Sequence, residues 1–93
     1  MDYVPRYFFD LHNDMDVCDP SGRELPNIEA ALANAVQEAR EMMRESLRQG
    51  HLNLMHRIDI RVETGAIIRT VHFGDAVTVK RGDELLSEPP VTV

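Results

Sequence analysis

Only one cysteine, Cys18, occurs in the 93 residues, so no internal disulfide can form and no thiolate pair offers a metal site. Basic residues are outnumbered, Lys and Arg counting 10 against 16 Asp and Glu, for a formal net charge of −6. A chain of that sign lacks the clustered cations that phosphate contacts require, so nucleic acid is not an expected partner. Long apolar runs are also missing, and nothing approaches the roughly 20 residues that a spanning helix needs. The opening MDYVPRYFFD has no basic stretch followed by an apolar one, so we expect no signal peptide, no membrane partner and a cytoplasmic location. Glycine-rich phosphate loops, nucleophile elbows and zinc motifs do not occur. Cys18 falls near His12, which invites a nucleophile and base, but a lone cysteine on a short strand reads better as a small buried apolar side chain. We expect no enzyme and no cofactor.

What is present is one long amphipathic segment, residues 28–49. Ile28, Ala31, Leu32, Ala35, Val36, Ala39, Met42, Met43 and Leu47 recur at helical spacing and make one apolar stripe. Asn34, Gln37, Arg40, Glu41, Arg44, Glu45 and Arg48 suit the water side. Ala31, Ala35 and Ala39 form a ridge of small residues, which lets the helix axis lie close to whatever it covers. Asn27 is the expected N-cap and Gly50 the residue that ends the helix.

The remaining segments read as strands. Residues 6–12 alternate, with Tyr7, Phe9 and Leu11 toward the helix and Phe8, Asp10 and His12 away from it. Asn13-Asp14 tolerates positive φ and is expected to close a tight hairpin onto a return strand near residues 15–19. Residues 54–63 place Ile58, Ile60 and Val62 on one face and Arg57, Asp59, Arg61 and Glu63 on the other. Residues 66–73 return, with Ile67, Val71 and Phe73 inward. Arg69 then also falls inward, and either snorkelling at the sheet edge or a bulge resolves that. Residues 80–93 show no period and read as a flexible tail, which leaves a single domain at 1–79. The expected fold is α+β, β-β-α-β-β, with a four-stranded antiparallel sheet in the order 2-1-3-4 and the helix on one face.

Arg6-Tyr7-Phe8-Phe9-Asp10-Leu11-His12, Asp19, Gly22, Glu24-Leu25-Pro26, Ala30-Ala31 and Phe73-Gly74-Asp75-Ala76-Val77 resemble a group of small bacterial domains of unknown function that open with an RYFFDL-like strand. The resemblance covers roughly residues 5–77 and implies the same fold. It implies no activity, cofactor or catalytic residue. Asn13-Asp14, where Asp-Gly is usual, and His72, where proline is common, depart from the pattern. A shorter likeness, Leu25-Pro26 leading into Glu29-Ala30-Ala31, is to HicB-type antitoxins and would imply a small toxin as partner.

The functional expectation is a non-catalytic interaction or accessory protein, a homodimer or the binder of a small protein. It acts through the open sheet face at Phe8, Asp10 and His12 or through the strand-prone Val77, Thr78 and Val79. The alternative is a small-ligand or divalent-metal module on the Asp10/His12 face, where Asp14, Asp16 and Asp19 crowd the adjoining turn. That spacing lacks a calcium-loop signature, and acidic turns are common for conformational reasons alone.

Overall fold

A computed structural model describes residues 3–90. Strand β1 is Arg6–His12 and the helix α1 is Ile28–Arg48, close to the bounds that periodicity implies. Strands β2 (Asp16–Val17) and β3 (Arg23–Glu24) lie between them, and β4 (Arg57–Arg61) and β5 (Ile67–His72) follow the helix. The antiparallel sheet runs β2-β1-β4-β5, the expected order, and β3 also pairs with β1. Both short strands lie along the same edge of β1, β2 against Leu11 and His12 and β3 against Arg6 and Tyr7. The return strand is therefore one strand interrupted at residues 18–22.

Asn27 caps the helix as expected, its Oδ1 accepting from the Ala30 N–H at 2.9 Å. At the other end Gly50 has φ +90, and the His51 and Gly50 N–H groups donate to Ser46 and Leu47 carbonyls. That is the left-handed closure only glycine adopts cheaply. The helix buries Ala31, Ala35, Ala39 and Met43, a single i, i+4 row, against Tyr7, Phe9, Ile58, Ile60, Val71 and Phe73. Leu32 and Val36 flank this row and are half-buried, whereas Met42 and Leu47, expected in the stripe, are exposed. With alanine at the contact, the helix sits close to the sheet, and Leu32 and Val36 pack against the core beside the row.

Three local expectations are corrected. The β1–β2 connection is a three-residue loop closed by the Asn13 side chain, which accepts from the Met15 N–H, and no non-glycine residue among those described has positive φ. The β4–β5 register shifts at Ile60/Arg61, so that Ile67 pairs with Arg61 on the open face and Ile68 packs against the core. Ile67 is thus exposed rather than inward, and Arg69, opposite Ile60 on an edge strand, reaches solvent. Finally, in the segment 80–93, expected to be a flexible tail, the described part forms a hairpin of β6 (Val79–Arg81) and β7 (Glu84–Ser87), while 91–93 lie outside the described residues. A 3-10 turn at Phe73–Asp75 leads into it, with Ala76 buried and its carbonyl accepting from Arg40 Nε at 2.8 Å.

The alanine row sets a packing test. Ala35→Leu inserts a larger side chain where no space exists, and should cost about 1–3 kcal/mol in urea unfolding. Arg44→Ala, exposed and held only by a 3.7 Å pair to Glu41, should move the midpoint hardly at all. Equal shifts would place the helix in another rotation.

Candidate interaction site

The β1/β4 register puts Asp10 directly opposite Asp59 on the open face. Like charges so placed destabilise a sheet unless each is answered. Both are buried, Asp10 8% and Asp59 4% exposed, and both are answered. Arg61 grips Asp10 with Nε at 2.9 Å and Nη2 at 3.3 Å, and its guanidinium lies 4.5 Å from the Phe8 ring centroid. Asp59 receives Thr70 Oγ1 at 2.8 Å, His12 Nε2 at 3.1 Å and Arg57 Nε at 3.4 Å. His12 turns its other nitrogen to Asp16, at 2.8 Å.

The interruption in the return strand belongs to the same network. Where the strand bulges away from β1, the Phe9 N–H would lose its partner, and the Asp19 carboxylate accepts it at 3.1 Å. The other Asp19 oxygen accepts from the Ser21 and Gly22 N–H groups, while the Asp19 N–H donates to Asp10 and its carbonyl accepts from Arg61. Gly22 closes this turn at φ +70, and a Cβ there would lie 2.9 Å from the Tyr7 carbonyl. Burial pushes the Asp10 carboxyl up, but Arg61 and the Asp19 N–H outweigh it and hold the group below the usual carboxylate range. Burial acts likewise on Asp19 and is outweighed by the N–H groups of Gly22, Phe9 and Ser21.

Of the residues singled out from sequence, Phe8, Asp10 and His12 therefore share one face and one network, with Phe8 half-buried under Arg61. Val77 and Val79 lie on the opposite, helix side, in a cleft with Met43, Leu47 and Leu52, and Thr78 is exposed between them. The two groups do not form one site. Cys18 is exposed rather than buried, and its sulfur lies 3.6 Å from Arg61 Nη2. For the metal reading, no group of three or more His, Cys, Asp or Glu side chains able to hold an ion assembles among the described residues. Nor, among them, is any helix long and apolar enough to cross a membrane.

Sequence reading missed two features. One is a cleft of about 390 Å³ between α1 and the return strand, floored by Phe9, Leu11, Met42 and Ile58. Arg23 Nη1 donates to Asn34 Oδ1 at 2.5 Å there, and the buried Asn34 Nδ2 lies beside the Glu38 carboxyl. Burial pushes the neighbouring Glu38 carboxyl up against the opposing pull of Asn34 and the Arg23 charge. Their i, i+4 spacing was the available signal. The other is the hairpin end, where Leu47, Leu52, Leu85 and Leu86 are exposed.

Two tests follow from the network. A carboxylate whose folded pKa is depressed stabilises fully above its unfolded value, near pH 4 for aspartate, and that stability is lost as pH falls through the folded value. The stability gap between wild type and Asp10→Asn should therefore be widest near neutrality and shrink below about pH 4 in urea melts. A gap independent of pH would contradict the pairing. Gly22→Ala should cost at least about 1 kcal/mol, since the backbone conformation and the space both oppose a Cβ; a neutral result would mean that the turn is not held as described.

A family model, Domain of unknown function (DUF6894), matches residues 6–74, from the first residue of β1 to the 3-10 turn. No curated protein and no solved structure matches the chain. The matched stretch contains the whole sheet, the helix, Asp10, Asp19, Gly22 and Arg61, and stops short of the hairpin. The match has no bearing on the likeness to HicB-type antitoxins. Covering well over half of the sequence, it assigns the chain to the family described as Domain of unknown function (DUF6894).

Proposed function

We propose that the chain is a small cytoplasmic, non-catalytic interaction module whose contact surface is the hairpin end rather than the open sheet face. One observation carries this reading. Charged side chains of the open face are spent on one another, whereas exposed leucines gather where the hairpin leaves the body. Leu47 and Leu52 line the cleft under Val77 and Val79, and Leu86 lines a second with Leu54 and Met55 on the far side of the hairpin base. Exposed apolar surface of this kind is what protein partners cover. Gly74 holds the hairpin to the body, its carbonyl accepting from Ser87 Oγ at 2.5 Å and its N–H donating to the Leu54 carbonyl.

The test is site-specific photo-crosslinking in cells expressing the intact chain, with the reactive residue placed at Leu47, Leu85 or Thr70. Adducts of defined mass should form from Leu47 and Leu85 and be lacking from Thr70. Adducts from Thr70 alone, or from none of the three, would sink the reading.

A small-ligand reading has one observation in its favour, the buried Asn34 amide and half-buried Glu38 carboxyl lining one cleft. A thermal-shift screen of small carboxylic acids and amides on wild type and Asn34→Leu separates it. A ligand that shifts both proteins equally does not use this cleft.

A further inference from the structure

The hairpin pairs only β6 with β7, as a separate two-stranded sheet. Two strands alone are at best marginally stable in water. Their register shifts between Val79 and Lys80, leaving Leu86 as the extra residue opposite, and Leu85 and Leu86 remain 48% and 51% exposed. Next to the hairpin lies the complement of such a strand. The cleft of about 450 Å³ is walled by Met43, Leu47, Leu52, Val77 and Val79 and rimmed by Arg40 and Arg44. The second strand and its flanks are acidic where the rim is basic, reading Asp83-Glu84-Leu85-Leu86-Ser87-Glu88. Among the described residues Arg44 has one exposed 3.7 Å pair with Glu41, and Arg40 is bonded through Nε to a carbonyl, so both guanidinium groups keep donors for a carboxylate.

Resting on the interaction-module reading, we infer that the occupant of this cleft is a second copy of the same chain, bound by reciprocal exchange of hairpins. Leu85 of each copy enters between Leu47, Leu52 and Val79 of the other, and Glu84 meets the Arg44 on the rim. Val79 belongs both to the hairpin and to the cleft wall. A two-fold axis beside it therefore presents each hairpin to the other copy's cleft, the self-complementary arrangement that closed dimers need. Two chains of net charge −6 repel at long range, and contact of the acidic strand with the basic rim offsets that repulsion locally.

The test uses a Cys18→Ser background, in which differently tagged Leu85→Cys and Leu47→Cys proteins are mixed under thiol-exchange conditions. The mixed disulfide between the two should exceed either self-disulfide. In dilution light scattering without added cysteines, Leu85→Ser should weaken the dimer by well over about tenfold, since tenfold is the effect of withdrawing one buried leucine and the dimer loses two. Glu84→Arg should weaken it as well, and Glu84→Arg with Arg44→Glu should restore it, a rescue that a merely unfolded hairpin would not show. A wild type that stays monomeric at high concentration, a dimer indifferent to Leu85→Ser, or self-disulfides in excess overturns the inference. If the photo-crosslinks at Leu47 and Leu85 then carry another protein's mass, the interaction module stands and only the second copy is lost; if there are none, both fall.

Discussion

Two buried carboxylates, Asp10 and Asp59, oppose each other across the central strand pair, and the open face is built to neutralise them. Arg61 answers Asp10; His12, Arg57 and Thr70 answer Asp59. The pairing does more than cancel charge. A slip of one residue in either strand would turn a carboxylate toward the alanine row of the helix, where nothing could receive it, so the ion pairs and the apolar face fix the same register. Through the Asp19 N–H and carbonyl the network also holds the interrupted return strand, whose Asp19 side chain supplies the acceptor that a continuous strand would have given Phe9.

The opposite face is constrained by size instead of charge. Alanines at 31, 35 and 39 are wholly buried and bring the helix close to Ile58, Ile60 and Phe73. Close approach suits a small domain, in which few large side chains are available to fill a thicker layer. It also leaves the helix's larger apolar residues at its margins. Near the C-terminal half those margins, Leu47 with Leu52, Val77 and Val79, are the walls of the cleft beside the hairpin. The same packing that completes the core thus creates the apolar surface on which the functional reading rests.

Much of this architecture was legible in the residues. The helix, its caps, strand β1 with its inward Tyr7 and Phe9, and the sheet order follow from periods of 3.6 and 2 sustained over enough residues to be read. Residues that fold by exception were not legible. Ile67 and Ile68 differ by one register position, and only the bulge opposite Ile60/Arg61 decides which of them meets the core. Strands of three and four residues, bulged at Leu86 and joined by Gly82-Asp83, are too short to display alternation. The Asp10–Arg61 grip joins positions far apart in sequence. Both residues could be put on the open face, yet their mutual burial depends on the loop at Asp19 folding over them. Hence Phe8, Asp10 and His12 stood out for their chemistry while their engagement with one another was hidden.

A charged face closed on itself and an apolar end left open divide the molecule, in the proposed reading, into a structural side and a contact side. Backbone amide resonances followed by nuclear magnetic resonance from dilute to concentrated protein test that division most directly. Concentration-dependent shifts should be confined to residues around Leu47, Leu52 and the segment 77–87, with Phe8, Asp10, His12 and Asp59 unmoved. Shifts centred on β1 and β4 of the open face, with the hairpin silent, would contradict the account.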